Sequence, residues 1–252
     1  MTPAGAPRAS AGARRRPPAW LIVPAGIATL LLAMPFVALL VRLDWAGVPA
    51  AIAAPAALQA LALSLTTASL ATVICLVLGV PLVLPPLVGG IALLSLFGRA
   101  GLLGGALALV GVRIPFTTVA VVIAQTFVAL PFLVISVEGA LRTNGTAHEA
   151  VAASLGARRF TVFRRVTLPL VAPGLVAGTV LCFARALGEF GATALFAGNA
   201  PGVTRTMPLA IYTAFNGAGV GEDTAIALSL LLIAVAVAVL VLMRGWKADA
   251  IR

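Results

Sequence analysis

A stretch of 40 residues without one charged side chain, LQALALSLTTASLATVICLVLGVPLVLPPLVGGIALLSLF (residues 58–97), decides the class of this protein. As a single α-helix it would be about 60 Å long, twice the thickness of the hydrocarbon core of a bilayer. The stretch must therefore fold back on itself. Its only cluster of helix-breaking residues is GVPLVLPPLVGG (residues 79–90), which predicts a tight hairpin followed by a short second limb over residues 82–97.

The composition of the whole chain agrees with a membrane protein. Hydrophobic residues make up 62% of the 252 residues and charged residues 10%, whereas soluble domains carry about 25% charged residues. We therefore predict an all-α membrane protein with about six spans. The apolar runs are residues 20–41, 58 to the hairpin, 82–97, 114–137, 170–190 and 225–243, with a glycine-rich interfacial segment at 99–113 and a polar loop at 197–223.

The distribution of basic residues predicts the orientation. Six crossings place both termini and the loop before the fifth span on one side, which then holds 12 of the 17 Lys and Arg residues, against 4 on the other. By the positive-inside rule the richer side is cytoplasmic, which accounts for the net charge of +10 without a nucleic-acid partner. The predicted organisation is a basic cytoplasmic tail (1–18), a membrane domain beginning with an uncleaved span (19–245) and a cytoplasmic tail (246–252).

The basic loop over residues 142–169 includes most of HEAVAASLGARRFTVFRRVTLPLVAPG (residues 148–174). Ala147, Val151 and Leu155 share one helical face, and Phe160 begins a second apolar strip among four arginines. Gly156 between the two parts allows two short helices to meet at a sharp angle. Two interpretations remain open: an interfacial loop attracted to anionic lipid, or a docking element for a cytoplasmic partner.

The spacing of Gly156, Val166, Leu168 and Pro169 resembles the cytoplasmic EAA loop of the permeases of ABC importers. That family usually places its Glu six residues before the Gly; here Ala150 has that position and Glu149 precedes it. The resemblance implies a type I importer permease whose loop contacts separate ATPase subunits. The implied coupling residues are Glu149, Ala150, Val151, Leu155, Gly156, Phe160, Leu168 and Pro169.

Two further stretches narrow the resemblance. FARALGEFGATALFAGNAPGVTRTMPLAIYTAF (residues 183–215) and LVLPPLVGGIALL (residues 82–94) are similar to molybdate permeases, and sulfate permeases share the LGEFGA core. The family carries a basic cytoplasmic loop between its second and third spans that this chain lacks, hence a shortened hairpin. The resemblance implies a homodimer in the cytoplasmic membrane of a prokaryote that moves an oxyanion by alternating access, served by an external binding protein and by subunits that use ATP.

Arg185 and Glu189 are the only charges well inside a predicted span. Each costs about 2.5–3.5 kcal/mol near a helix centre on insertion scales, and their i,i+4 spacing lets them pair. They either line an anion path or form a structural ion pair. Two interpretations also apply to the polar residues of the predicted spans and the segment after them: they either line the path or pack helices together. These residues are Ser64, Thr67, Gln125, Thr126 and Thr193. In the outer loop, Asn199, Thr204, Arg205 and Thr206 either contact a substrate-delivering protein or form an ordinary solvated loop.

Several functions are disfavoured by what the sequence lacks. It has no G-x-x-x-x-G-K-[ST] phosphate-binding loop, so we expect no ATP hydrolysis, no catalytic residues and no bound cofactor. Its one histidine, His148, and its two cysteines within apolar runs predict no metal site. Three alternatives to a molybdate permease remain open: a sulfate or tungstate permease of the same class, a stand-alone secondary carrier and a membrane-embedded enzyme.

Overall fold

The computed structural model describes residues 22–42, 44–78, 85–217 and 221–249, and every regular element in these ranges is helical. This confirms the predicted all-α class. The chain divides into two compact units, Met1–Leu43 and Asp44–Arg252. The first unit contains α1 (Ile22–Arg42). The second contains α2 (Val48–Ala53), α3 (Pro55–Leu78), α4 (Pro86–Phe97), α5 (Gly104–Leu109), α6 (Thr118–Asn144), α7 (Ala147–Ser154), α8 (Arg159–Val162), a π-helical turn (Phe163–Thr167), α9 (Leu168–Leu187), α10 (Gly191–Phe196), α11 (Met207–Phe215) and α12 (Glu222–Asp249).

Four helical segments in the described ranges are long and apolar enough to cross a bilayer: Pro55–Val77, Thr118–Asn144, Arg159–Leu187 and Glu222–Val241. They coincide with four of the six predicted spans. α1, with 21 residues, occupies the first predicted span. The third differs from the expectation, because α4 has only 12 residues. At 1.5 Å per residue it is about 18 Å long and does not cross a 30 Å core by itself.

The end of α3 and the start of α4 meet α6 at neighbouring residues. The Cys75 thiol donates a 3.5 Å hydrogen bond to the carbonyl oxygen of Thr126. A Cβ added at Gly89, in the first turn of α4, would lie 2.8 Å from the ring of Phe127. Cys75 and Gly89 therefore lie at the same level of α6.

The predicted hairpin is partly corrected by these bounds. Pro86 begins α4, so residues 86–90 are helical and do not belong to the turn. Residues 79–84 of the predicted hairpin lie outside the described residues. α4 packs on α6 and α10, and the absence of a side chain at Gly90 allows the approach to α10, since a Cβ there would be 2.9 Å from the Cα of Ala192.

The central contact of the second unit is between α6 and α9. Gly174 and Gly178 form a G-x-x-x-G pair on α9, and a Cβ at Gly174 would overlap the Cβ of Ala140. A Cβ at Gly178 would lie 2.9 Å from the Cβ of Ser136, whose hydroxyl donates to the Gly174 carbonyl oxygen at 3.2 Å. In a membrane helices gain little from hydrophobic burial, so small residues that allow close backbone approach hold them together.

The predicted polar loop over residues 197–223 contains a helix that the sequence analysis missed. α11 buries Met207, Leu209, Ala210 and Ala214 and packs on α3 and α12. Its first N–H group, on Met207, donates to the hydroxyl oxygen of Ser64. The polar residues on both sides of this short apolar run obscured its helical pattern.

Candidate functional site

The basic loop has the two-part form that its glycine predicts. α7 ends at Ser154, and Gly156 follows with φ of +82°, a left-handed conformation that favours glycine. A Cβ at Gly156 would meet no atom within 4 Å, so the open space around it is available to a partner. The backbone conformation, and not crowding inside this chain, is the reason for a glycine here.

The second half of the loop differs from the expected separate short helix. α8 continues through the π-helical turn into α9, so Arg159–Leu187 is one apolar helical segment of 29 residues. Pro169 has no N–H to donate to the carbonyl four residues earlier, and its ring would clash with that carbonyl. The wider π turn before it removes the conflict, as its Leu168 N–H bonds to the Phe163 carbonyl oxygen. Leu168 and Pro169 therefore lie inside a continuous helix and do not close the segment.

Glu149 joins the two halves of the loop. Its carboxylate oxygen Oε1 accepts a short hydrogen bond from the Thr167 hydroxyl, so α7 is fixed against the π turn. A cavity of about 530 Å³ lies between them and is lined by Glu149, Ala153, Arg159 and Phe163 among others. The angle of α7 to α9 is thus held by a specific polar contact. At the other end of α7, the Asn144 side chain donates to the carbonyl oxygen of Leu170 at 3.1 Å.

The outer surface of the loop combines apolar and basic side chains. Leu155 is 82% exposed and Phe160 72% exposed, and Val151, Ala150 and Pro169 are also exposed. The four arginines of the loop, Arg158, Arg159, Arg164 and Arg165, are all exposed. Most of the predicted coupling residues therefore face outward, where a partner protein can reach them.

The two charges predicted inside a span do form an ion pair. Arg185 Nη2 lies 2.7 Å from Glu189 Oε2, and the Arg185 side chain is 24% exposed whereas Glu189 is 1% exposed. Glu189 also makes a contact that was not predicted from the sequence: its Oε1 accepts the N–H of Ala192 at 2.8 Å. Glu189 therefore satisfies a free N–H at the start of α10, in the break between the end of α9 at Leu187 and Gly191. An acidic residue three positions before Ala192 is the feature of the sequence that could have predicted this capping contact.

The remaining polar candidates fall into two groups. Ser64 accepts from the Met207 N–H, while Thr67 and Thr126 donate to carbonyl oxygens of their own helices at 2.7 Å. Gln125 and Thr193 are fully buried, and among the described residues neither the Gln125 amide atoms nor the Thr193 hydroxyl has a hydrogen-bond partner. Because α10 packs on α6, the structure brings the segments that carry these two side chains together.

Three of the four outer-loop candidates, Asn199, Thr204 and Arg205, form side-chain hydrogen bonds with neighbouring residues. Arg205 Nε donates to Asn199 Oδ1 at 2.9 Å, and the Asn199 amide donates to the Thr213 hydroxyl at 2.8 Å. The Thr204 hydroxyl accepts the Ala200 N–H at 2.9 Å. Thr204 and Thr206 are fully buried, so they shape the loop and do not present a surface. Asn199 and Arg205 remain reachable by a partner.

Comparison with known proteins identifies a family and several relatives of this chain. The family described as binding-protein-dependent transport system inner membrane component matches residues 60–248. The molybdenum transport system permease protein of Mycobacterium tuberculosis is 53% identical over 218 residues, covering 77% of this chain and 83% of that protein. Its counterpart in Escherichia coli is 46% identical over 138 residues, covering 54% of this chain and 60% of that protein. The sulfate transport system permease protein of Salmonella typhimurium is 38% identical over 141 residues, covering 56% and 51%.

The mycobacterial alignment also bears on the shortened hairpin. The alignment spans 218 residues, which is more than the 77% of these 252 residues that it covers. The relative therefore contains residues between the matched ends that this chain lacks. The short link between α3 and α4 is where the sequence analysis expects them to be missing.

Proposed function

Because this chain belongs to the family of inner-membrane components of binding-protein-dependent transport systems, we propose that it is the membrane subunit of an ATP-driven molybdate importer. The observation that supports molybdate as the substrate is the 53% identity to molybdenum transport permeases over most of the chain. The identity to a sulfate permease is 38%, over about half of the chain. ATP hydrolysis then belongs to separate subunits, and this chain is not catalytic. Tungstate, a tetrahedral dianion like molybdate, is a second substrate of the same site.

The continuous helix from the basic loop to the ion pair supports a coupling mechanism. α9 alone has 20 residues, which separates Leu168 from Leu187 by about 30 Å. An ATPase that moves α7 also moves the start of α9, because Glu149 binds Thr167. The displacement is transmitted along α9 to the break before α10, where Glu189 contacts both Arg185 and Ala192. The basic loop is then the ATPase-docking element, with ATPase subunits and both termini in the cytoplasm.

Gln125 and Thr193 support a translocation path between α6 and α10. A buried polar group without a partner costs about 1–3 kcal/mol. Among the described residues the side chains of Gln125, Thr193 and Thr206 are in this state, and the first two belong to α6 and α10, which pack on each other. We assign this arrangement to alternating access: the contact is dry when closed, and when the helices part, the amide N–H and hydroxyl donors face the path and bind the oxyanion. Glu189 partly neutralises Arg185, so the anion is attracted without being trapped.

The path assignment is tested with apolar replacements of similar size, Gln125→Leu and Thr193→Val. Both remove an unpaired polar group, so stability is expected to stay level or rise while molybdate uptake falls. Thr72→Val is the matched control, because that buried hydroxyl is already bonded to the Ala68 carbonyl oxygen at 2.8 Å and lies outside the path. Full uptake in the double variant would contradict the assignment.

The substrate is tested by reconstitution into liposomes with the cognate ATPase and the external binding protein. We expect ATP-dependent accumulation of labelled molybdate that excess sulfate inhibits poorly. Accumulation of sulfate in preference to molybdate would assign the chain to the sulfate class. Accumulation without ATP or ATPase would instead indicate a secondary carrier.

The assembly proposed is a homodimer with the path at or near the subunit interface. One chain offers a short α4 and a pair of polar groups on one side of α6, which is too little to enclose a path. The external binding protein is expected to reach Asn199 and Arg205 on the outer loop. Crosslinking of the intact complex in the membrane checks both contacts.

A further inference from the structure

The segment between α4 and α6 is folded into a cap at the end of α6 opposite the basic loop. The last carbonyl oxygens of α4 are satisfied by returning N–H groups: Leu102 donates to Ser95 at 3.1 Å and Leu103 to Leu96 at 2.8 Å. A Cβ at Gly104 would overlap the Gly98 carbonyl oxygen. The glycine-rich sequence therefore builds a fixed structure there, 27 residues of α6 (about 40 Å) away from the basic loop.

This cap encloses a cavity of about 450 Å³, within the usual range for small-molecule sites. Its wall is mainly apolar or small, with Phe97, Ala108, Val112 and Phe116 among the lining residues. Two arginines, Arg99 and Arg113, also line it. A cavity that joins an apolar wall to two cations fits a ligand with an anionic head and a hydrocarbon tail.

The two arginines have no partner in the described part of the chain. Neither Arg99 nor Arg113 makes a hydrogen bond or an ion pair there, and both are exposed. Arg205, at the same end of the molecule, is by contrast held by Asn199 through two hydrogen bonds of 2.9 and 3.2 Å. Two unpaired guanidinium groups on one cavity present the fork geometry that suits a phosphate group.

The backbone at the cavity is strained in a way that keeps an aromatic side chain in its wall. Phe116 has φ of +62°, the only positive value among the non-glycine residues that the structure describes. Such a conformation costs on the order of 1–3 kcal/mol. The Phe116 N–H donates to the Phe196 carbonyl oxygen at 3.2 Å, which holds it, and its ring remains 62% exposed. Leu102 and Leu109 on the same cap are 84% and 90% exposed, as suits a surface in contact with lipid.

We propose that this cavity binds one anionic phospholipid in the membrane leaflet opposite the basic loop. Arg99 and Arg113 hold its phosphodiester, and the apolar wall around Ala108 and Phe116 takes part of an acyl chain. A free oxyanion would use the arginines but gain nothing from the apolar wall, so lipid is the better occupant. Neither Arg185, Gln125 nor any residue of the basic loop lines this cavity, so the proposal does not depend on the transport assignment.

The test measures lipid retention by the purified full-length protein, using native mass spectrometry with dioleoylphosphatidylglycerol and dioleoylphosphatidylcholine. We expect preferential binding of the phosphatidylglycerol. Arg99→Gln and Arg113→Gln should each weaken it about fivefold, and together about 25-fold, since a basic residue at a lipid surface contributes about that factor. Arg205→Gln is the matched control, with the same charge change at the same end, and should leave lipid binding unaltered.

Two further measurements separate the cavity from general surface charge. Ala108→Trp fills the cavity and leaves both arginines, so it should abolish selective retention while size-exclusion profiles stay unchanged. Excess inorganic phosphate should not displace the lipid. The proposal is overturned if Arg205→Gln weakens binding as much as the cavity variants, if Ala108→Trp retains the lipid, or if phosphate competes.

Discussion

Replacement of Arg185 by Met tests how the buried ion pair stabilises the bundle. The change leaves the Glu189 carboxylate, which is 1% exposed, without the guanidinium 2.7 Å away. Breaking a buried pair by removing one partner costs about 3–5 kcal/mol. Because the Arg185 side chain is 24% exposed, solvent screens part of the interaction, and we expect the lower end, about 3 kcal/mol.

Two double variants separate charge from helix capping. In Arg185→Met with Glu189→Gln the buried charge is gone, and the Gln oxygen still accepts the Ala192 N–H, so most of the loss should be recovered. In Arg185→Met with Glu189→Ala that acceptor is also lost. The second double variant should therefore be less stable than the first by about 0.5–2 kcal/mol, the usual effect of a lost N-terminal cap.

The assay is unfolding of the purified protein in mixed micelles by increasing SDS, followed by far-UV circular dichroism, with uptake measured in parallel in liposomes. Unaltered stability of Arg185→Met would refute the structural role of the pair. Equal stability of the two double variants would refute the capping role of Glu189. Recovery of stability without recovery of uptake would assign Arg185 to the anion path.

Three further predictions concern orientation, coupling and packing. Ser154→Cys should react with membrane-impermeant maleimide only from the cytoplasm and Val203→Cys only from outside, since the two native cysteines are fully buried; the reverse pattern would exclude the proposed topology. Gly156→Arg should insert normally but co-purify with less ATPase, and Gly156→Asn, which tolerates φ of +82°, should lose less; undiminished recovery with Arg would exclude this loop from coupling. Gly178→Leu should destabilise the protein by about 1–3 kcal/mol through overpacking, measured by the same SDS titration, whereas Gly139→Leu, with no atom within 4 Å of its Cβ, should not; equal effects would contradict the close α6–α9 contact.

Much of the architecture was predictable because it depends on local properties. Span positions follow from the cost of placing each side chain in lipid, and the basic loop follows from charge and glycine spacing. The limits of local patterns appear at α11, where a short apolar run among polar residues is buried only because α3 and α12 cover it. They also appear in α8, which continues into α9 through a π turn although Leu168 and Pro169 suggest a boundary.

The sequence by itself determined that the chain is a helical membrane protein, and it predicted that Arg185 and Glu189 are spaced to pair, although Glu189 lies just past the end of α9 at Leu187. Only the tertiary structure decided what each polar group touches. Ser64 accepts the N–H of Met207 at the start of α11, 143 residues away, while the Gln125 amide finds no hydrogen-bond partner in the part of the chain that the structure describes. The physical reason is that insertion into lipid is set residue by residue, whereas a hydrogen bond requires two groups brought together by the packing of the whole bundle.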